Sequence, residues 1–141
     1  MASKKILKRF AAALIILLLI YAGIAVVYGF CVSNLFQAVY YADGIYTDDL
    51  SASISKEDFD AMNCRTYEGD QIFNESYRVS FPWVWHHFTG GTAFCSYTYL
   101  CTDPGSGEVL YRRKTDVSIK FQLSFSGFHV KSYQADEAKK E

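Results

Sequence analysis

The residues of this chain best equipped for chemistry are an adjacent histidine pair, His86-His87, and an arginine, Arg113, set in an aromatic-rich, alternating pattern. Two imidazoles could hold a metal or relay a proton. Neighbours on a strand point to opposite faces, however, so the pair converges on one ion only at a bulge or turn. The pattern instead predicts a solvated His86 beside a half-buried His87. Arg113 shares its parity with Val109, Tyr111, Val117, Ile119 and Phe121. It is therefore expected on the apolar face, with Tyr97 and Trp83 in line across two neighbouring strands. A guanidinium stacked on aromatic rings is favourable, and in an apolar concavity it could fix an anionic or carbonyl group. Arg113, Tyr97, Trp83 and His87 form the candidate ligand-binding set, and no catalytic residue stands out.

Four cysteines supply the other chemistry. Cys95 and Cys101 lie six positions apart on one strand, about 20 Å, and cannot bridge. Cys64 with Cys101 is the disulfide candidate, with Cys64 to Cys95 as the other option. Cys31 sits at the end of a long apolar run. No C-x-x-C occurs, so neither a zinc site nor any cofactor is expected. Gly90-Gly91 and Gly105-Ser106-Gly107 lack the G-K-S/T of a phosphate loop, and Ser124-Phe125-Ser126-Gly127 is not a nucleophile elbow. The acidic stretch from Ile45 to Asp70 does not follow EF-hand spacing and reads as a solvated face.

The element that positions these residues is the uncharged apolar run Phe10 to Val32, long enough to cross a bilayer core of about 30 Å. Lys4, Lys5, Lys8 and Arg9 precede it, which predicts a cytoplasmic amino terminus. The remaining ten basic and fifteen acidic residues follow the run. That leaves the rest with a net charge of about −5, which does not suggest a nucleic acid partner. The expected division is a basic tail over 1–9, a transmembrane anchor over 10–32, an extracytoplasmic α+β domain over 33–134 and a charged, fraying tail over 135–141. Membrane lipid is then one partner. Ala25 and Gly29 have the small-xxx-small spacing that suits a weak homodimer of spanning helices.

Val32, Leu35, Phe36, Val39 and Tyr40 mark an amphipathic helix, stopped at Asp43-Gly44. Ser55 followed by Glu57 and Asp58 predicts a capped helix from Lys56 to Asn63 that buries Phe59 and Met62. Period-two runs then predict four antiparallel strands. The first takes Val79, Phe81, Trp83, Trp85 and His87 inward, with an extra residue at its hairpin and Pro82 at an edge or bulge. The second turn pairs Thr102 with Glu108 and Tyr97 with Arg113. A two-residue turn at Ser126-Gly127 pairs Phe125 with Phe128 and Leu123 with Val130.

One or two helices on a curved four-stranded antiparallel meander resemble the NTF2-like and cystatin-like α+β folds. That resemblance implies a cone-shaped pocket under the helix. Type IV pilins are similar in joining a membrane helix to a meander, but their Gly-Phe precedes the apolar run, whereas Gly29-Phe30 lies near its end. The expected function is a membrane-anchored extracytoplasmic binding or accessory module, non-catalytic, contacting an envelope protein or a small ligand. The alternatives are an NTF2-like enzyme doing isomerase or lyase acid-base chemistry, and a pilin-like assembly component.

Overall fold

A computed structural model describes residues 2–63, 73–136 and 139–140. The chain is α+β: one long amino-terminal helix, two short helices and an open antiparallel sheet.

The first helix, α1, runs unbroken over Ala2–Tyr41 and is long and apolar enough to cross a membrane. Ser3 to Ile20 are exposed at every position, and the first residue to touch the rest of the protein is Tyr21. From there one stripe is buried: Tyr28, Val32, Leu35, Phe36, Val39 and Tyr40. The helix ends as its sequence requires, with Asp43 at φ 53° and Gly44 at φ 78°, the left-handed region that Asp tolerates and Gly favours.

Helices α2 (Asp48–Ser51) and α3 (Lys56–Met62) form a second small layer. The sequence shows α3, whose Ser55 Oγ accepts from the Asp58 amide at 3.1 Å and whose Phe59 and Met62 are buried. It does not reveal the single turn of α2, capped by Thr47. Together they cover a sheet edge. The amide of Val130 donates to Ser53 O at 2.7 Å and that of Tyr133 to Asp58 Oδ1 at 3.2 Å, occupying donors that an edge strand would otherwise leave open.

The sheet contains β1 (Asn74–Val79), β2 (Trp83–His86), β3 (Gly90–Thr102), β4 (Val109–Ser124) and β5 (Gly127–Ala135). A two-residue β6 (Lys139–Lys140), drawn from the tail expected to fray, pairs with β4 at Arg113 and Lys114. Strands β3, β4 and β5 follow one another, while β1 and β2 share the outer edge of β3. The expected single first strand is thus divided. Val79 opposes Tyr97 and Trp83 opposes Phe94, so the edge chain holds one residue more than β3 between these pairs. Ser80 fixes that irregularity beside Pro82: its amide donates to Ser96 O at 2.8 Å and its Oγ accepts from the Ser96 amide at 2.9 Å.

The extra residue lies there and not at the hairpin, where His86 pairs with Gly91. One residue reverses every side chain beyond it. Val84 and His86 are therefore buried, while Trp83, Trp85 and His87 face outward, the opposite of the sequence expectation.

Two further registers differ. A bulge at Leu110 sets Thr102 against Val109 and Cys101 against Tyr111, so Arg113 opposes Tyr99 instead of Tyr97. At the last turn Ser124 pairs with Gly127 and Leu123 with Phe128, leaving Phe125 and Ser126 as the two turn residues and Phe125 fully exposed. A bulge at Lys131 then lets Tyr133 oppose Ile119. The alternation of Ala93, Cys95, Tyr97, Tyr99 and Cys101 holds, and all five are buried.

The core lies between α1 and this face. Tyr28 meets Phe121 at 4.6 Å between ring centroids, Phe36 meets Tyr97 at 6.1 Å, and Tyr40 stacks on Tyr77 at 4.0 Å. Each fully buried apolar side chain of this kind is worth about 1.5–3 kcal/mol. Thr115, opposite Tyr97, is the exception: its Oγ1 is buried with no hydrogen-bond partner among the described residues. Thr115→Val keeps the shape and removes an orphaned hydroxyl. Thermal unfolding in detergent is expected to show a gain of about 1 kcal/mol, and a loss would mean that the hydroxyl is satisfied.

Candidate functional site

The four residues expected to line one pocket are dispersed. Tyr97 is buried beneath Phe36, Trp83 stands on the outer face of β2, His87 is exposed in the loop after β2, and Arg113 is half-buried across from Tyr99. The apolar sheet face that would join them is covered by α1.

His86, expected to face water, is instead a structural pin. Its Nδ1 accepts from the Phe88 amide at 3.1 Å, so Nε2 carries the proton and donates to Tyr21 O at 2.9 Å. The His86 amide donates to Tyr21 Oη at 3.1 Å, and the two rings stack at 3.9 Å. Tyr28 Oη donates to Phe88 O. The β2–β3 hairpin is in this way fastened to the last part of α1 before it leaves the domain. Phe88 holds φ 70°, a conformation that costs a residue with a side chain about 1–2 kcal/mol, and its ring remains exposed. No sequence signal reports that strain.

Gly29 belongs to the same junction. A Cβ there would lie 2.7 Å from the Phe81 ring, and half-buried Ala25 lines a cavity of about 380 Å³ with Tyr21, Phe81, Trp83 and Val84. The small-residue pair thus packs on the chain's own sheet.

At the opposite end of the sheet lies a polar group. Tyr99, almost wholly buried, donates from Oη to Glu75 Oε2 at 2.8 Å, with Cys101 opposite Glu75 and Arg113 opposite Tyr99. Burial raises the Tyr99 phenol well above its ordinary value, and the Cys101 thiol and Glu75 carboxylate add to the shift. Burial likewise raises the Cys101 thiol. The phenol and the thiol hold their protons at neutral pH, which suits a hydrogen-bonded core better than nucleophilic attack. Cys31, Cys95 and Cys101 carry free thiols, and Cys64, the proposed disulfide partner, lies outside the described residues. No group of three or more His, Cys, Asp or Glu side chains among the described residues could hold a metal ion.

Burial pushes the Cys95 thiol up to about 12. A raised pKa stabilises the fold fully below the ordinary thiol value of about 8.5, and that contribution is lost as pH rises toward the folded value. The stability advantage of the native chain over Cys95→Ala is therefore expected to shrink above about pH 8.5. Maleimide at pH 8 is expected to leave Cys95 unmodified until the protein unfolds. Rapid labelling of the folded chain at Cys95 would contradict this.

An open groove of about 630 Å³ runs between α1 and α2 and is lined by Asn34, Leu35, Ala38, Tyr41, Asp49 and Leu50 among others. It adjoins the part of α1 that has entered the domain. No family model, curated protein or solved structure matches this chain.

Proposed function

We propose that the protein is a membrane-anchored, non-catalytic accessory module whose domain stands outside the cytoplasm and engages a partner protein. The observation that carries this reading is the occupancy of the apolar sheet face by Val32, Phe36, Val39 and Tyr40, residues of the same helix that bears the anchor. Acid-base chemistry in an apolar cone would need that space for substrate. A helix laid across an antiparallel sheet is in keeping with the cystatin-like and NTF2-like likeness, here with the helix packed on the apolar sheet face. The basic residues ahead of the apolar run support a cytoplasmic amino terminus.

The groove between α1 and α2 is the surface assigned to the partner, because exposed Asn34, Ala38, Tyr41 and Asp49 line an open cleft that none of the described elements fills. Photo-crosslinkers placed at Asn34 and Asp49, in membranes of the native host, should yield one discrete protein adduct. Ala38→Trp, which fills the cleft from an exposed position, should abolish it. Identical adducts from Lys120, on the far face of the sheet, would defeat the assignment.

A further inference from the structure

Two stretches of the chain, Val79 to Thr102 and Phe121 to Val130, carry no Asp, Glu, Lys or Arg, and they supply the β2–β3 and β4–β5 turns at the end of the domain fastened to α1. In a chain that is 21% charged, such stretches mark a surface built for something other than water. The surface is also aromatic. Trp83, Trp85, Phe88 and Phe125 are all more than half exposed, with the two tryptophans edge to face at 6.3 Å. The Leu123 amide donates to Thr89 O at 2.7 Å, so the β2–β3 and β4–β5 turns form one continuous rim. Ring contacts place that rim at the membrane end of the packed helix. Tyr21 meets His86 and Phe88, Tyr28 meets Phe121 and Phe128 further along, and Tyr40 reaches Tyr77 at the far end.

The length of α1 sharpens the argument. Between Arg9 and the first domain contact at Tyr21 lie the residues Phe10 to Ile20, a rise of about 16 Å, only half of a hydrocarbon core of about 30 Å. The missing half is found in one of two ways. Either the rim follows Tyr21 to Gly29 into the hydrocarbon, or the helix extends backward and Lys4, Lys5, Lys8 and Arg9 snorkel. Among the described residues no strand pairs with the outer edge of β2, which argues against the first, since open sheet edges do not enter hydrocarbon. Snorkelling allows the second: Ser3 to Ile20, exposed throughout, spans about 27 Å. The bilayer then ends near Tyr21, level with the aromatic rim, and Trp and Tyr favour that interfacial depth.

We infer that Trp83, Trp85, Phe88 and Phe125 dock on the phospholipid interface of the membrane that α1 crosses, seating the domain directly against the lipid. Continuity with the spanning helix selects lipid as the occupant, because no rotation of the domain separates this rim from the bilayer while His86 remains pinned to Tyr21. The strained Phe88 backbone, which keeps an apolar ring exposed, fits the same use.

Trp83 and Trp85 are the only tryptophans, so emission excited selectively at tryptophan reports on this surface alone. The full chain is reconstituted in phosphatidylcholine vesicles, with Trp83→Phe and Trp85→Phe to resolve the two. The inference rests on α1 spanning the bilayer, which carbonate extraction of the same vesicles checks separately. Bromine on the acyl chain near the headgroup should quench both tryptophans more strongly than bromine near the chain end. Aqueous iodide should quench them at least threefold less than in the denatured chain. Phe125→Asp, a change at a fully exposed site, should weaken the bromolipid effect. Integral insertion with full iodide access and no bromolipid quenching would overturn the inference. So would shielding from iodide that ignores bromolipid and grows with the protein-to-lipid ratio, because a second copy would then cover the rim.

Discussion

Gly91→Ala is expected to cost about 3 kcal/mol or more, because the new methyl group meets backbone. Its Cβ would lie 2.1 Å from the Trp85 carbonyl oxygen and 2.7 Å from the His86 Cα. A flexible side chain could swing aside, but here β2 itself must retreat from β3. The retreat would also withdraw His86 from Tyr21, and with it the stack and two hydrogen bonds that fasten the hairpin to α1. Gly23→Ala is the matched control: no atom lies within 4 Å of its Cβ, and alanine in a helix interior is worth up to about 1 kcal/mol over glycine. Thermal unfolding in one detergent compares the two. Equal midpoints would mean that the hairpin does not approach as closely as described. A destabilised Gly91→Ala chain should also lose the bromolipid quenching of its tryptophans, tying the seat on the membrane to the hairpin's attachment.

Phe59→Ala is expected to cost about 3–5 kcal/mol, the usual toll for emptying a fully buried aromatic site. Phe59 is wholly buried and meets Tyr46 at 5.3 Å. A helix as short as α3 has little stability of its own, so it holds its place chiefly through Phe59 and Met62. Its loss should expose the β5 edge that Ser53 O and Asp58 Oδ1 protect. Hydrogen exchange provides the specific readout: the Val130 and Tyr133 amides should exchange much faster, while those at the β3–β4 pairing should follow only the global loss. A uniform change across the sheet would show that α3 does not guard that edge separately.

The features legible in the sequence are those decided within a few residues. Four basic residues ahead of a long uncharged run define α1, Asp43-Gly44 ends it, Ser55 starts α3, and strict alternation marks Ala93 to Cys101 as a strand with one buried face. Each is set by local backbone preference or by a periodicity that survives without knowledge of the partner. The candidate ligand set could not be read in this way. Its four members belong together only in one register, and a register is fixed by where single extra residues fall. Those residues lie at Ser80 to Pro82, where Pro82 signals an edge or a bulge without choosing between them, and at Leu110 and Lys131, which carry no such local signature.

The sequence by itself determined that a helix able to cross a membrane is followed by an α+β chain, and which face is apolar from Ala93 to Cys101 and from Val117 to Phe121. Only the tertiary structure decided that this helix continues into the domain and packs on the sheet's apolar face, that His86 turns inward to hold it, and that Trp83 and Trp85 turn outward. The physical reason is the two-residue period of a strand. A one-residue bulge costs little locally yet exchanges the faces, and packing against a distant helix chooses between the outcomes.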